Sequence, residues 1–173
     1  YLNMLKYCFE KGYDIDSRAG KVRKAFGNQM RFDLNKGFPI VTSKKMAWRS
    51  IVSELLWFLE GSGDERRLAE IHYEKDRSML LDKKTIWTQN ANADYWKSKS
   101  KFDGDLGRIY GVQWRDFNGV DQITELIKGI KKDPYSRRHI INAWNTAELS
   151  QMALPPCHVL VQFYVENNKL SSQ

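Results

Sequence analysis

Apolar residues fall at Leu2, Leu5 and Phe9, a helical spacing, and the run ends at Gly12, so a helix is predicted over Leu2–Lys11. From Gln29 to Leu34, Met30, Phe32 and Leu34 alternate with Gln29, Arg31 and Asp33, which predicts a strand. Gly37-Phe38-Pro39 reads as a loop. Lys45 to Glu60 predicts a long helix, apolar nearly all round and therefore buried, stopped by Gly61-Ser62-Gly63. Asp64 to Glu74 continues as helix, whereas Asp76 to Asp105 is polar with little periodicity and predicts surface loop with short helices. Gly104, Gly107 and Gly111 mark a turn-rich segment. Val120, Ile123, Ile127 and Ile130 outline an amphipathic helix closed by Asp133-Pro134. His139 to Trp144 predicts a buried strand and Val159 to Val165 another. The latter runs into the polar turn Glu166-Asn167-Asn168 and a return strand, Lys169 to Gln173, that has barely begun. The pattern is therefore expected to belong to a chain cut at both ends. Strands and helices mix without a strand–helix–strand rhythm, which predicts an α+β fold.

Composition sharpens this picture. The 173 residues suit one domain, and 42% hydrophobic with 13% aromatic residues is enough apolar material for a core. No run of about 18 apolar residues exists, so no membrane span is expected, and no secretory or transit leader is legible. Cys8 and Cys157 are too few for a disulfide framework, which points to a reducing, cytoplasmic setting. Lys and Arg total 28 against 21 Asp and Glu, a net charge of +7 that suits an anionic partner. The basic residues are scattered in pairs without zinc-finger spacing or a basic-region helix, so nothing in the motifs asks for nucleic acid.

Three features carry candidate chemistry. Glu54 lies within the apolar helix, where a carboxylate must be paired, water-bound or neutral. It is either a buried salt bridge or a proton-shuttling acid. Cys157, in Leu154-Pro155-Pro156-Cys157-His158 before a strand, is either a small buried hydrophobe or a thiolate nucleophile activated by nearby cations such as Arg137 and Arg138. Arg137-Arg138, on the turn after Asp133-Pro134, is suited to gripping a phosphate. The Cys-x-x-Cys that zinc deaminases need is missing, since Cys8 and Cys157 are the only cysteines, which excludes that class. Walker-type loops, a full Gly-x-Gly-x-x-Gly and His-Glu-x-x-His are also absent. His72, His139 and His158 lack metal-ligand spacing, so no metal is expected.

Taken together, these segments resemble the thymidylate synthase family. Asp133 to Asn145 is similar to its phosphate-binding arginine segment, and Met152 to His158, continued by Gln162-Phe163-Tyr164-Val165, to its nucleophile segment. Gly37 to Lys45 and Glu54 to Leu59 match the N-terminal part. Gly104 to Arg115 matches the middle. The resemblance covers nearly the whole chain and implies that residues 1–173 are roughly the first two-thirds of a catalytic domain. It implies conversion of dUMP to dTMP with 5,10-methylenetetrahydrofolate as co-substrate, through a Cys157 adduct at position 6 of the pyrimidine, without metal or nicotinamide. By the same resemblance Glu54 orders waters and protons, Tyr110 is linked to removal of the proton at position 5, and Trp87 borders the folate and the methylene intermediate. Arg18 would bind phosphate. Arg137 and Arg138 would reach the partner subunit's phosphate in a homodimer, and Lys44 would lie near the folate tail.

The chain also departs from the family. Ser17-Arg18-Ala19-Gly20-Lys21-Val22-Arg23 stands for the usual Asp-Arg-Thr-Gly-Thr-Gly. Thr88 follows Trp87 where an acid is usual, Arg108 replaces a Pro, and Ala47 stands where many members have a His. Two alternatives stay open at this stage. One is hydroxymethylation of dCMP or dUMP on the same fold, with water in place of hydride as the final nucleophile. The other is a truncated homologue without catalysis. Little turnover is expected from these 173 residues alone.

Overall fold

The computed structural model describes residues 1–17 and 20–173, with an α+β mixture of helices and small antiparallel sheets. Two compact units divide the chain, Tyr1–Ala47 and Trp48–Gln173.

In the first unit, helix α1 (Leu2–Lys11) ends at Gly12, as the apolar spacing predicts. Strands β1 (Tyr13–Ser17) and β2 (Gly20–Lys24) then pair antiparallel, with Ile15 opposite Val22. Neither strand is predicted from the sequence, because each carries a single central β-branched apolar residue among polar ones. The pairing is backed by Arg23, whose guanidinium donates to both carboxylate oxygens of Asp14 at 2.7 and 3.2 Å and to the Phe9 carbonyl at 3.0 Å. The strand predicted over Gln29–Leu34 does not form. That stretch is irregular and runs into a 3-10 turn, Leu34–Lys36, in which the Asp33 carboxylate accepts from the Asn35 N–H. Its alternation finds no described strand to pair with, and Met30, Phe32 and Leu34 stay 46–64% exposed. Alternation without a neighbouring edge makes no ladder.

The second unit holds the larger core. Helix α2 (Trp48–Glu60) starts three residues later than predicted and buries only Ser53, Trp57 and Phe58. Val52, Leu55, Leu56 and Leu59 are 37–51% exposed, so the all-round burial read from its composition is not met among the described residues. Helix α3 (Glu65–Tyr73) follows, its N-terminus capped by Asp64, which accepts from the Arg66 N–H at 2.8 Å. The polar stretch beyond contains short helices α4 (Thr88–Ala91) and α5 (Asp94–Lys97), as expected. It is not all surface, because Leu80, Trp87, Ala91 and Trp96 are at most 7% exposed and isolated apolar residues leave no period to read. Next come α6 (Tyr110–Arg115) and the amphipathic α7 (Gln122–Lys132), the latter capped by Asp121 through the Thr124 N–H.

Strands β3 (Ile140–Asn142), β4 (Leu160–Glu166) and β5 (Lys169–Ser172) form one antiparallel sheet in that order. The return strand is real. Asn167 and Asn168 take φ of 49° and 58°, the left-handed pair that a two-residue hairpin loop demands. The strand expected to be buried from His139 to Trp144 is buried on one face only. His139, Ile141 and Ala143 are at most 4% exposed, while Ile140 and Trp144 reach 44% and 37%.

The core is rich in aromatics: Trp57, Phe58, Trp87, Trp96, Tyr110 and Trp114 pack with Leu106, Ile109 and Ile141. The glycine-punctuated segment is threaded through it by backbone bonds. Leu106 N–H reaches the Gly63 carbonyl at 2.8 Å, Arg108 N–H the Gln151 carbonyl at 2.9 Å, and Ala153 N–H the Leu106 carbonyl at 3.0 Å. Gly107 has φ of 72°, and a Cβ there would lie 2.1 Å from the Gln151 carbonyl oxygen, so both torsion and space require glycine. This threading fixes where α6 begins, and Tyr110 is its first residue.

Candidate functional site

Four of the expected residues come together in the second unit, from four separate stretches of chain. Glu54 sits midway along α2 and is half-buried. Its partner is not a cation. The indole Nε1–H of Trp87 donates to Glu54 Oε1 at 2.6 Å, and no ion pair to Glu54 occurs among the described residues. One oxygen is thereby engaged, and Oε2 accepts from no described side chain. Trp87 is the N-cap residue of α4 and is only 6% exposed. Its ring meets the Tyr110 ring edge-on, with centroids 5.6 Å apart. Tyr110 also stacks nearly parallel on Phe58, at 4.8 Å and 12°.

Tyr110 reaches the fourth member. The Cys157 backbone N–H donates to Tyr110 Oη at 2.6 Å. Pro156, fully buried, anchors that segment. Tyr95 Oη donates to the Ala153 carbonyl at 2.8 Å. Cys157 itself is exposed and unpaired, so the reading of it as a small buried hydrophobe is set aside. The His158 ring lies edge-on to Tyr110 at 5.5 Å. The result is a chain of contacts, Glu54–Trp87–Tyr110–Cys157, that ends in an accessible thiol.

Burial pushes the Tyr110 hydroxyl up to about 12. The Cys157 thiol and the Glu54 carboxylate add to the rise, and the Cys157 N–H works against it. The phenol therefore stays neutral through physiological pH and can both accept and donate a hydrogen bond. A folded-state value above the ordinary 10 means a contribution to stability that is complete below about pH 10 and disappears as pH climbs toward 12. Wild-type urea midpoints are thus expected to fall more steeply than those of Tyr110→Phe between about pH 10 and about pH 12. Parallel slopes for the two proteins would contradict this assignment.

The unusual Arg108 has a clear role in holding α6. Its guanidinium bonds Glu148 Oε2 at 2.6 Å and Asp116 Oδ2 at 3.1 Å, and Gln113, fully buried, donates to the same Glu148 oxygen at 2.7 Å. Burial pushes the Glu148 carboxyl up, but Arg108 and Gln113 outweigh it and hold it below the usual carboxylate range.

The remaining expected residues lie apart. Arg137 and Arg138 are exposed and have no ion-pair partner among the described residues. In the β3–β4 pairing Ile140 faces Gln162 and Asn142 faces Leu160. Arg138 precedes β3 and Cys157 precedes β4, so in this antiparallel pair the two lie beyond opposite ends of the paired stretch. Among the described residues no hydrogen bond or ion pair joins Cys157 to either arginine. Lys44 belongs to the first unit and is exposed. Arg18 lies outside the described residues. Among the described residues no group of three or more His, Cys, Asp or Glu side chains is arranged to hold a metal ion.

The sequence reading missed Phe58 as a partner of Tyr110, and Tyr95 as a support of the cysteine segment. Helical spacing places Phe58 near Glu54, but nothing in the sequence says which ring it will meet.

The family model for thymidylate synthase matches residues 1–173, the whole chain. The chain belongs to the thymidylate synthase family. It is 48% identical over 174 residues to the thymidylate synthase of Enterobacteria phage T4, covering all of this chain and 59% of that protein. It is 45% identical over 183 residues to the thymidylate synthase of Aster yellows witches'-broom phytoplasma (strain AYWB), covering all of this chain and 64% of that one. The crystal structure of thymidylate synthase from T4 phage superposes with a TM-score of 0.88 at 47% identity, over 99% of this chain and 59% of that one. The chain thus spans about three-fifths of the length of these family members. No helix among the described residues is long and apolar enough to cross a membrane.

Proposed function

We propose that residues 1–173 are part of the catalytic domain of a protein that methylates dUMP to dTMP with 5,10-methylenetetrahydrofolate. The observation that carries this reading is the chain of contacts Glu54–Trp87–Tyr110–Cys157, which ends in an exposed thiol. Position 5 of uracil is a poor nucleophile, and addition of the Cys157 thiolate at position 6 raises its electron density. Bound methylenetetrahydrofolate supplies both the one-carbon unit and the hydride that reduces it to a methyl group. Tyr110, neutral and fixed beside the Cys157 backbone, is placed to relay the proton leaving position 5. Trp87 forms an apolar wall that limits water near the reacting carbon. Glu54, tied to that wall through one oxygen, keeps the other to accept from substrate or an ordered water.

Arg137 and Arg138 lie before β3 and Cys157 before β4, beyond opposite ends of the paired strands, and both arginines are exposed. Their place supports a homodimer in which each chain's arginines serve the other's nucleotide. Arg18 and Lys44 complete the reading as contacts to phosphate and to the folate tail. A reducing compartment, the cytoplasm, keeps Cys157 as the free thiol this chemistry needs.

The test is product analysis of the full-length protein with dUMP and folate labelled in the methylene carbon. Label is expected in dTMP, with one dihydrofolate formed per turnover. A hydroxymethylated nucleotide with tetrahydrofolate left unoxidised, or no labelled nucleotide, would overturn the assignment.

A further inference from the structure

Beneath Trp87 lies a polar cluster to which the proposed reaction assigns no role. Glu65, the first residue of α3, is 1% exposed. Its carboxylate accepts from Arg66 Nε at 2.5 Å and Arg66 Nη2 at 2.6 Å, and from Thr85 Oγ1 and Thr88 Oγ1 at 2.6 Å each. An ionised carboxylate only accepts, so both threonine hydroxyls must donate to it. Their lone pairs are thereby left for backbone donors. Thr85 Oγ1 takes the Trp87 N–H at 3.1 Å, and Thr88 Oγ1 takes the Thr85 N–H at 2.8 Å. One buried charge sets the polarity of these hydrogen bonds in the turn from Thr85 to Thr88. Arg66 extends the hold upstream, with Nη1 on the carbonyls of Leu80 and Lys83 at 3.1 and 3.0 Å. Trp87 leaves this turn with its indole N–H on Glu54.

The geometry points to Glu65 as a positioning residue. It makes no hydrogen bond to the indole or to Glu54, yet through Thr85 and Thr88 it sets the reach of Trp87 to Glu54. Its importance for turnover rests on the function proposed above. Its control of the indole does not.

The experiment is a 15N–1H spectrum of the indole groups of the protein, six of which fall within residues 1–173. Trp87→Phe assigns the resonance, and Glu54→Gln should move it upfield because a charge-assisted bond becomes a neutral one. Glu65→Gln replaces one acceptor oxygen by an amide donor and cannot satisfy both Arg66 and the two hydroxyls. The Trp87 resonance is expected to move upfield comparably in Glu65→Gln while those of the other tryptophans stay in place. Thr88→Val should do the same and Thr88→Ser should restore the wild-type position. This pair carries the test if Glu65→Gln does not fold. A Trp87 resonance unmoved in Glu65→Gln or in Thr88→Val overturns the proposal. So does a shift of all the indole resonances together, since Glu65 would then hold the fold rather than the indole. An unmoved resonance in Glu54→Gln refutes the Glu54–Trp87 contact, and with it the reading of the site, separately from the Glu65 result.

Discussion

Cys157→Ser is expected to eliminate covalent capture of 5-fluoro-dUMP in the presence of methylenetetrahydrofolate, and to lower turnover of the full-length protein by on the order of 10⁴ or more. A serine hydroxyl is far less acidic than a thiol, so almost none of it is ionised at neutral pH, and addition to position 6 stalls. The substitution isolates that chemistry. Cys157 is exposed, and the bond it makes to Tyr110 comes from its backbone N–H, which serine retains. Stability should therefore change by no more than about 0.5 kcal/mol, as for other surface replacements. Denaturing gels after incubation with the labelled inhibitor read the adduct directly. An adduct that survives in the serine variant would show that another group is the nucleophile.

The second large effect acts through packing. Gly111 lies in α6 where that helix crosses α2, and a Cβ there would stand 2.4 Å from the Phe58 carbonyl oxygen and 2.6 Å from the Phe58 Cα. Both are backbone atoms and cannot turn aside. Gly111→Ala must push the two helices apart, which costs about 1–3 kcal/mol or more in an already filled interior. For a chain of this size that lowers the melting temperature by about 2–4 °C per kcal/mol. The same displacement takes Tyr110 off Phe58, with which it stacks, and away from Cys157. Activity of the full-length protein should accordingly fall about 100-fold or more, since misplacement by an ångström can cost that much. Thermal unfolding and turnover are both measured. Wild-type values for either one would mean that α2 and α6 can separate without strain.

Much of the secondary structure was legible because local rules and tertiary demands agree. The stripe Ile123, Ile127 and Ile130, with Asp121 ahead of it, becomes α7. The alternation in Val159–Val165 and the Asn167-Asn168 turn become the β4–β5 hairpin. The rules failed where partners decide. Met30, Phe32 and Leu34 alternate as well as any strand, yet no described edge receives them. The β1–β2 hairpin has only Ile15 and Val22 as central apolar residues and leans on the Arg23–Asp14 pair, a contact between residues nine apart in the chain.

For the site, residue identities were legible and their relations were not. Motif resemblance singles out Glu54, Trp87, Tyr110 and Cys157 one at a time. That Trp87, 33 residues from Glu54, supplies the partner of its carboxylate follows only from how the turn at Thr85–Thr88 is held. That Tyr110 meets the backbone of Cys157, 47 residues on, follows from the threading of Gly104–Tyr110 through the core. Sequence alone settles the family, the helical and strand periods, and the presence of a thiol, an acid and an arginine pair, because these depend on residue type and short spacing. Tertiary structure decides that the thiol is exposed, that the acid pairs with an indole rather than a cation, and that the arginines stand at the far end of the strand pair. Those outcomes depend on burial and register, which are properties of distant segments packed together and not of any one stretch of chain.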